Sequence, residues 1–307
     1  VTSPAKRRRE SEVLAMMAVS SLSREGNLHV CDLPYRLSSP ALDNPDNVGL
    51  WFASTTGALL GWAVMQTPFW AIDYAMHPDA SPSLHRAILE WADGRARALL
   101  DSPWGRPQWY VNVFADQTDR LHDLVTQGFA DQASVGPNSW QKVLLVRSPR
   151  APIESSQVPV GFVIRPLDGT GEVEAYVELH RDVFQSKAMT VEWRRRTLAQ
   201  PAYRPDLDLV AVAPDGKLVG FCVSWLSPEP DDILAGQIEP LGVHPEYRGI
   251  GLGKALLAAG LAGMLRYGAE TIYVETDKHR DAALDLYLSA GFRIDRDVRV
   301  YRKDVRE

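Results

Sequence analysis

Three short landmarks recur along the chain in the same order, and they limit the fold more than any other feature. Leu59-Leu60-Gly61-Trp62-Ala63-Val64 is echoed by Leu218-Val219-Gly220-Phe221-Cys222-Val223, Ala75-Met76-His77-Pro78 by Gly242-Val243-His244-Pro245, and Gly128-Phe129 by Gly291-Phe292. Each pair is separated by roughly 160 residues, far beyond the ~20–50 residues of a solenoid unit, so the pattern points to a duplicated domain. A chain of 307 residues has room for two domains, each of ~150 residues. The run from Arg147 to Pro159 is rich in Pro and Ser, as linkers are. Tandem domains over 1–150 and 151–307 are therefore expected.

The second copy alternates between two periodicities. Residues 162–166, 207–213, 217–225, 235–243, 271–275 and 298–303 read as strands, and Pro214-Asp215-Gly216 is a turn between two of them. Helices are expected over 171–184, 190–199, 251–267 and 280–289, with Thr190 as the N-cap of the second. Strands interleaved with helices imply an α/β (α+β) layered architecture. In the first copy, residues 11–24 read as a helix with no clear strand before them.

Composition excludes several classes. Apolar residues make up 45% of the chain, enough for a packed core, so a wholly disordered chain is excluded. No apolar run approaches the ~18 residues of a membrane-spanning helix. The basic run Lys6–Arg9 is followed by no secretory h-region and reads as a solvated tail. Cys31 and Cys222 alone cannot build a disulfide framework, which favours the cytoplasm. The net charge of −6 argues against a general nucleic-acid binder. The seven histidines lack H-x-x-x-H spacing, so no metal is expected. A G-x-S-x-G elbow is also missing, which removes the common serine hydrolase signature.

The strongest chemical signal is Arg248-Gly249-Ile250-Gly251-Leu252-Gly253-Lys254, where a strand ends and a helix begins. Glycines let the backbone approach a ligand, and a first helical turn offers free N–H donors to a pyrophosphate. Arg248 and Lys254 add positive charge. The spacing fits neither a P-loop, since Ala255 stands where a hydroxyl is needed, nor the G-x-G-x-x-G fingerprint.

Arg248-x-x-Gly251-x-Gly253 after a Val-x-Pro strand end resembles the acetyl-CoA signature of the GNAT superfamily of N-acyltransferases. A second family landmark, A-x-x-L-Y-x-x-x-G-F, is matched by Ala283 through Phe292, and the likeness covers about 160–304. It implies a mixed, twisted sheet flanked by helices, with two central strands splayed apart. It further implies that pantetheine pairs with Leu241, Gly242 and Val243 and that the pyrophosphate sits on Arg248–Lys254, with an oxyanion donor near Val243. Tyr287 takes the family position of the general acid, the alternative being a packed aromatic. Arg280 stands where the family often has Asn; it faces either the cofactor's phosphates or solvent. Glu239, on the strand leading to this site, is a candidate general base, directly or through water, or else a surface carboxylate.

The first copy lacks this equipment. No glycine follows His77-Pro78 at the matching places, although Pro82 suits a helix start, and Leu124 replaces Tyr287. This half is expected to fold like a GNAT domain without a productive acetyl-CoA site. Its tryptophans, Trp51, Trp62, Trp70, Trp91, Trp104, Trp109 and Trp140, read mainly as packing, with a substrate wall as the alternative. Arg194-Arg195-Arg196 and the acidic run Ser227–Asp232 read as solvated, or as contacts for charged substrate groups. The expected activity is acetyl transfer from acetyl-CoA to the primary amine of a small molecule. Alternatives are acetylation of a cysteinyl pseudo-disaccharide, since the chain resembles the two-domain mycothiol synthases, a protein-modifying acetyltransferase, and an acyl-CoA sensor without catalysis.

Overall fold

The computed structural model describes residues 4–135, 140–153, 156–229 and 233–305. The first half contains α1 (Pro4–Ser21), α2 (Leu33–Arg36), β1 (Val48–Phe52), β2 (Leu59–Gln66), β3 (Ala71–Met76), α3 (Ser83–Leu99), β4 (Gln108–Phe114), α4 (Thr118–Thr126), β5 (Ala130–Asp131) and β6 (Gln141–Arg147). The second contains β7 (Val163–Pro166), α5 (Val173–Phe184), α6 (Val191–Leu198), β8 (Asp208–Val212), β9 (Leu218–Pro228), β10 (Leu234–Val243), α7 (Leu252–Arg266), β11 (Thr271–Asp277), α8 (Asp281–Ser289) and β12 (Arg293–Asp304). Thr190 caps α6, its hydroxyl accepting from Trp193 N–H at 3.1 Å. The basic run Lys6–Arg9 belongs to helix α1.

The echo in the sequence is an echo in the hydrogen bonding. The echoed Leu-x-Gly segments form β2 and β9, and the two His-Pro pairs follow β3 and β10. His77 N–H donates to Leu60 O at 2.8 Å, and His244 N–H donates to Val219 O at 2.9 Å. Phe129 N–H donates to Leu124 O at 3.0 Å, and Phe292 N–H to Tyr287 O at 3.1 Å. The two copies thus share their turns as well as their strands.

All the described strands join one mixed sheet, in the order β1-β2-β3-β4-β12-β6-β11-β10-β9-β8-β7, with β5 pairing on β12. The halves exchange strands at its centre. β6 pairs antiparallel with β11 from Ile272↔Arg147 to Asp277↔Lys142, while β12 pairs with β4 from Val298↔Phe114 to Asp304↔Gln108. The Pro/Ser-rich linker therefore joins β6 to β7, strands that stand well apart in the sheet. Arg147, at its start, is buried and donates to the carbonyls of Ala290, Ala151 and Pro152. A guanidinium can be buried this way because carbonyl partners replace its water.

Helices cover both faces of the second half's strands. Leu256, Leu257, Leu261 and Met264 of α7 pack with Cys222 and Ile238, whereas Tyr176, Val177 and Val183 of α5 pack with Phe221, Val223 and Trp225. Alternation of side chains along β9 presents Cys222 and its neighbours to opposite layers. In the first half α3 lies on one layer and α1 on another. Burying each such large side chain contributes ~1.5–3 kcal/mol, so the two-sided cover is what holds the central strands.

Candidate active site

The two parallel strands β10 and β11 are paired only at Ala235↔Thr271, Gly236↔Ile272 and Gln237↔Tyr273. Beyond Gln237 they part. β9 still holds the other edge of β10, through Leu241↔Cys222, Gly242↔Phe221 and Val243↔Gly220, with a register shift between Ile238 and Leu241. Among the described residues the edge of Leu241–Val243 that faces the split has no strand partner. Gly242 is required here: a Cβ would stand 2.5 Å from Val183 and 2.8 Å from Phe221, so only glycine lets α5 close on the strand.

The glycine-rich turn follows directly. Gly251, at φ 95°, is the N-cap of α7, a conformation that costs a non-glycine residue ~1–2 kcal/mol. Among the described residues no side chain caps the helix, so the first turn of α7 presents the positive end of the helix dipole at Leu252 and Gly253. Gly249, Ile250 and Gly251 are exposed, and Leu252 anchors the turn in the core. Arg248 is also exposed, but its guanidinium is tied back: Nε donates to Val243 O at 3.0 Å and Nη2 to Val183 O at 3.3 Å.

Glu239 and Tyr287 line one cavity of about 410 Å³ at the mouth of the split. Tyr287 comes from α8 and is buried, its ring edge-on to Phe292. Burial pushes its phenol well above the ordinary value, and the Glu239 carboxylate adds to the effect. Glu239 lies within the register shift, its carbonyl accepting from Trp225 Nε1 at 2.7 Å. Burial, then the carboxylates of Asp32 and Glu275, push its carboxyl up to about 7. A carboxyl that titrates at about 7 and a protonated phenol share this cavity, one able to take a proton and the other to give one. Arg280, at the start of α8, lines the same cavity and bonds Asp277 Oδ2 through Nε at 2.6 Å.

The first half supplies much of the wall, a role that the sequence offered only for its tryptophans. His29, Asp32, Tyr35, Arg36, Trp140 and Lys142 all line the cavity. Lys142 Nζ pairs with Glu275 at 2.6 Å, and Arg36 Nε bonds Asp73 Oδ2 at 2.9 Å. Against the cost of burial, Lys142 holds the Glu275 carboxyl below its ordinary value, and His29 does the same for Asp32. Trp140 Nε1 donates to Asp277 Oδ1 at 2.8 Å, so at least one first-half tryptophan is part of the wall. The one sequence signal was a lysine inside a strand otherwise apolar from Val143 to Val146.

Other sequence candidates fall elsewhere. Arg194 is not solvated; it is buried against Asp208 with its guanidinium over the Tyr176 ring. Arg195 and Arg196 pair on the surface with Glu174 and with Glu192 and Asp43. Of the acidic run, 230–232 lie outside the described residues. Trp62 and Trp109 are core residues, and Trp104 is exposed. Among the described residues no cluster of His, Cys, Asp or Glu could hold a metal, and no helix is long and apolar enough to cross a membrane.

Residues 153–292 match the Acetyltransferase (GNAT) family, and this part of the chain is a GNAT acetyltransferase domain. Over nearly its whole length the chain is similar to the mycothiol acetyltransferase of Propionibacterium freudenreichii, 26% identical over 291 residues that cover 89% of this chain and 87% of that protein. The mycothiol acetyltransferase of Salinispora tropica is 32% identical over 158 residues, 50% of each chain. The chain thus spans about half the length of several curated relatives it matches. Among solved structures, a GCN5-related N-acetyltransferase from Sphaerobacter thermophilus superposes with a TM-score of 0.65 at 20% identity, covering 96% of this chain and 92% of that one. A tandem GNAT protein from the clavulanic acid biosynthesis pathway does so with a TM-score of 0.65 at 14% identity, covering 97% and 96%. The fold is therefore that of a tandem GNAT protein.

Proposed function

We propose that the protein is an acetyl-CoA-dependent N-acetyltransferase acting on the primary amine of a small molecule, with direct attack in a ternary complex. The observation that carries this reading is the meeting of Glu239 and Tyr287 in one cavity at the split between β10 and β11. Acetyl-CoA would lay its pantetheine along Leu241, Gly242 and Val243 and its pyrophosphate on the amides from Gly249 to Lys254. Arg248, already bonded to Val243 O, would steady that turn and add charge to it.

The chemistry balances on these two side chains. The amine nitrogen attacks the thioester carbonyl carbon, and the Glu239 carboxylate takes the proton the amine sheds, directly or through water. A backbone N–H near Val243 stabilises the oxyanion. When the carbon–sulfur bond breaks, the Tyr287 hydroxyl gives its proton to the leaving thiolate, producing the amide and free CoA. The division of labour is that residues 151–307 bind the cofactor, while 1–150 lack its cradle and shape the acceptor side.

A second reading is favoured by the relatives named mycothiol acetyltransferase: the acceptor is a cysteinyl pseudo-disaccharide. A panel of amines that includes this compound, assayed for thiol released from acetyl-CoA, separates the readings. Release with simple amines supports the broader one, and release with the pseudo-disaccharide alone supports the second. Acetyl-CoA binding without release by any amine defeats both and leaves a sensor.

A further inference from the structure

The first half has its own parting of strands, and its own chain fills it. β3 and β4 pair in parallel only at Ala71↔Tyr110 and Ile72↔Val111, then separate as β10 and β11 do. The segment between α1 and α2 enters that gap. Leu28 packs against the cluster that holds Phe114 and lines a small cavity there with Ile72, Tyr74 and Val113. Asn27, fully buried, bridges the edge of β3. Its Oδ1 accepts from Met76 N–H at 3.0 Å, and its Nδ2 donates to Met76 O at 3.3 Å. From the opposite side Arg120 Nη1 and Gln117 Nε2 donate to Gly26 O at 2.7 and 3.1 Å.

Met76 is the counterpart of Val243 in the repeat. The Asn27 carboxamide therefore takes from β3 a pair of backbone bonds of the kind an extended, amide-bearing ligand takes from an open strand edge. One residue further on, the chain leaves the gap. His29 lines both this gap and the large cavity, and Asp32, Tyr35 and Arg36 continue along the cavity wall. Tyr35 O accepts from Trp193 Nε1 at 2.9 Å, which docks the same segment on the second half.

We infer that the first half's strand split has become the socket of the acceptor site, with Asn27 the positioning residue that seats His29, Asp32 and Arg36 against the acceptor. The inference rests on reading the large cavity as the amine site. A recognition segment that must be ordered on binding loses affinity to that ordering, whereas one anchored beforehand does not.

Asn27→Leu removes both bonds to Met76, and Arg120→Met removes a clamp on Gly26 should the first variant fail to fold. In either variant the acceptor KM should rise about 10-fold while acetyl-CoA affinity, measured by calorimetry, stays within about twofold. Hydrogen exchange of residues 28–36 should quicken, and exchange in α7 should not. An unchanged acceptor KM, a parallel loss of acetyl-CoA affinity, or unaltered exchange over 28–36 overturns the inference. If the unmodified protein turns over no amine, the functional reading falls by itself, and the exchange data still decide whether Asn27 is the anchor.

Discussion

Lys142 and Glu275 meet at 2.6 Å across the line where the two halves of the chain exchange strands. Lys142 belongs to β6 of the first half and Glu275 to β11 of the second, and both line the large cavity. The pair ties the architecture to the chemistry, because Glu275 is one of the carboxylates that raise the Glu239 carboxyl.

Lys142→Met should leave Glu275 buried and unpaired. Loss of one partner from a buried pair costs ~3–5 kcal/mol, and the partial exposure of Lys142 brings the expectation down to about 2–3 kcal/mol. Urea unfolding measures it. Adding Glu275→Gln should restore most of the loss, and a double variant no more stable than Lys142→Met would show that leaving Glu275 unpaired carries no penalty.

The pH dependence follows from Glu239. Its carboxyl titrates at about 7 in the folded protein against an ordinary 4.5, so the folded state binds more protons between those values. Stability from this group is therefore full below the ordinary value and is lost as pH rises through about 7. Glu239→Gln should raise Tm more at pH ~8 than at pH ~5. Activity has the opposite slope: kcat/KM should fall as pH drops below about 7, and the variant should lose both that limb and most of its rate. A variant with the limb intact would assign the base elsewhere.

Tyr287→Phe should lower kcat by roughly 10²–10⁴ while acetyl-CoA affinity hardly changes, since the ring stays and only the proton donor goes. An acceptor amine whose product amide forms at an undiminished rate would remove the acid role.

Acetyl-CoA should bind with one equivalent per chain in calorimetry. Gly251→Ala should weaken that binding about 5- to 30-fold, because ~1–2 kcal/mol of left-handed strain opposes the turn that aims the amides. Two equivalents in the unmodified protein would show that the Asn27-filled gap opens to the cofactor. Unweakened binding by the alanine variant would move the phosphates away from this turn.

Much of the second half was legible because its signals are local. Gly251, Thr190 and the Pro214-Asp215-Gly216 turn each act within a few residues, and α6, α7 and β9 begin within a residue or so of where those signals place them. Tyr287 was reached through a ten-residue pattern. What stayed hidden is non-local. β12 alternates over Val298–Lys303 and β6 is apolar from Val143 to Val146, and neither pattern says which neighbour a strand will choose. Arg194 reads as solvated from the sequence; its burial against Asp208, like that of Arg36 against Asp73, follows from pairing across the fold. Nothing in the sequence marks Asn27, because its partner lies on a strand distant in sequence.

The exchange of β6 and β12 also sets a timetable for synthesis. β4 has no permanent neighbour on one side until residues 293–304 have been made, and β6 waits for β11 and β12 alike. A nascent first half thus emerges with an open hydrogen-bonding rim, the kind of surface that recruits the wrong strand from another molecule. Whatever shields that rim in the seconds before the last strand arrives, a chaperone or the growing chain itself, is as much a condition of the finished fold as any side chain in its cavity.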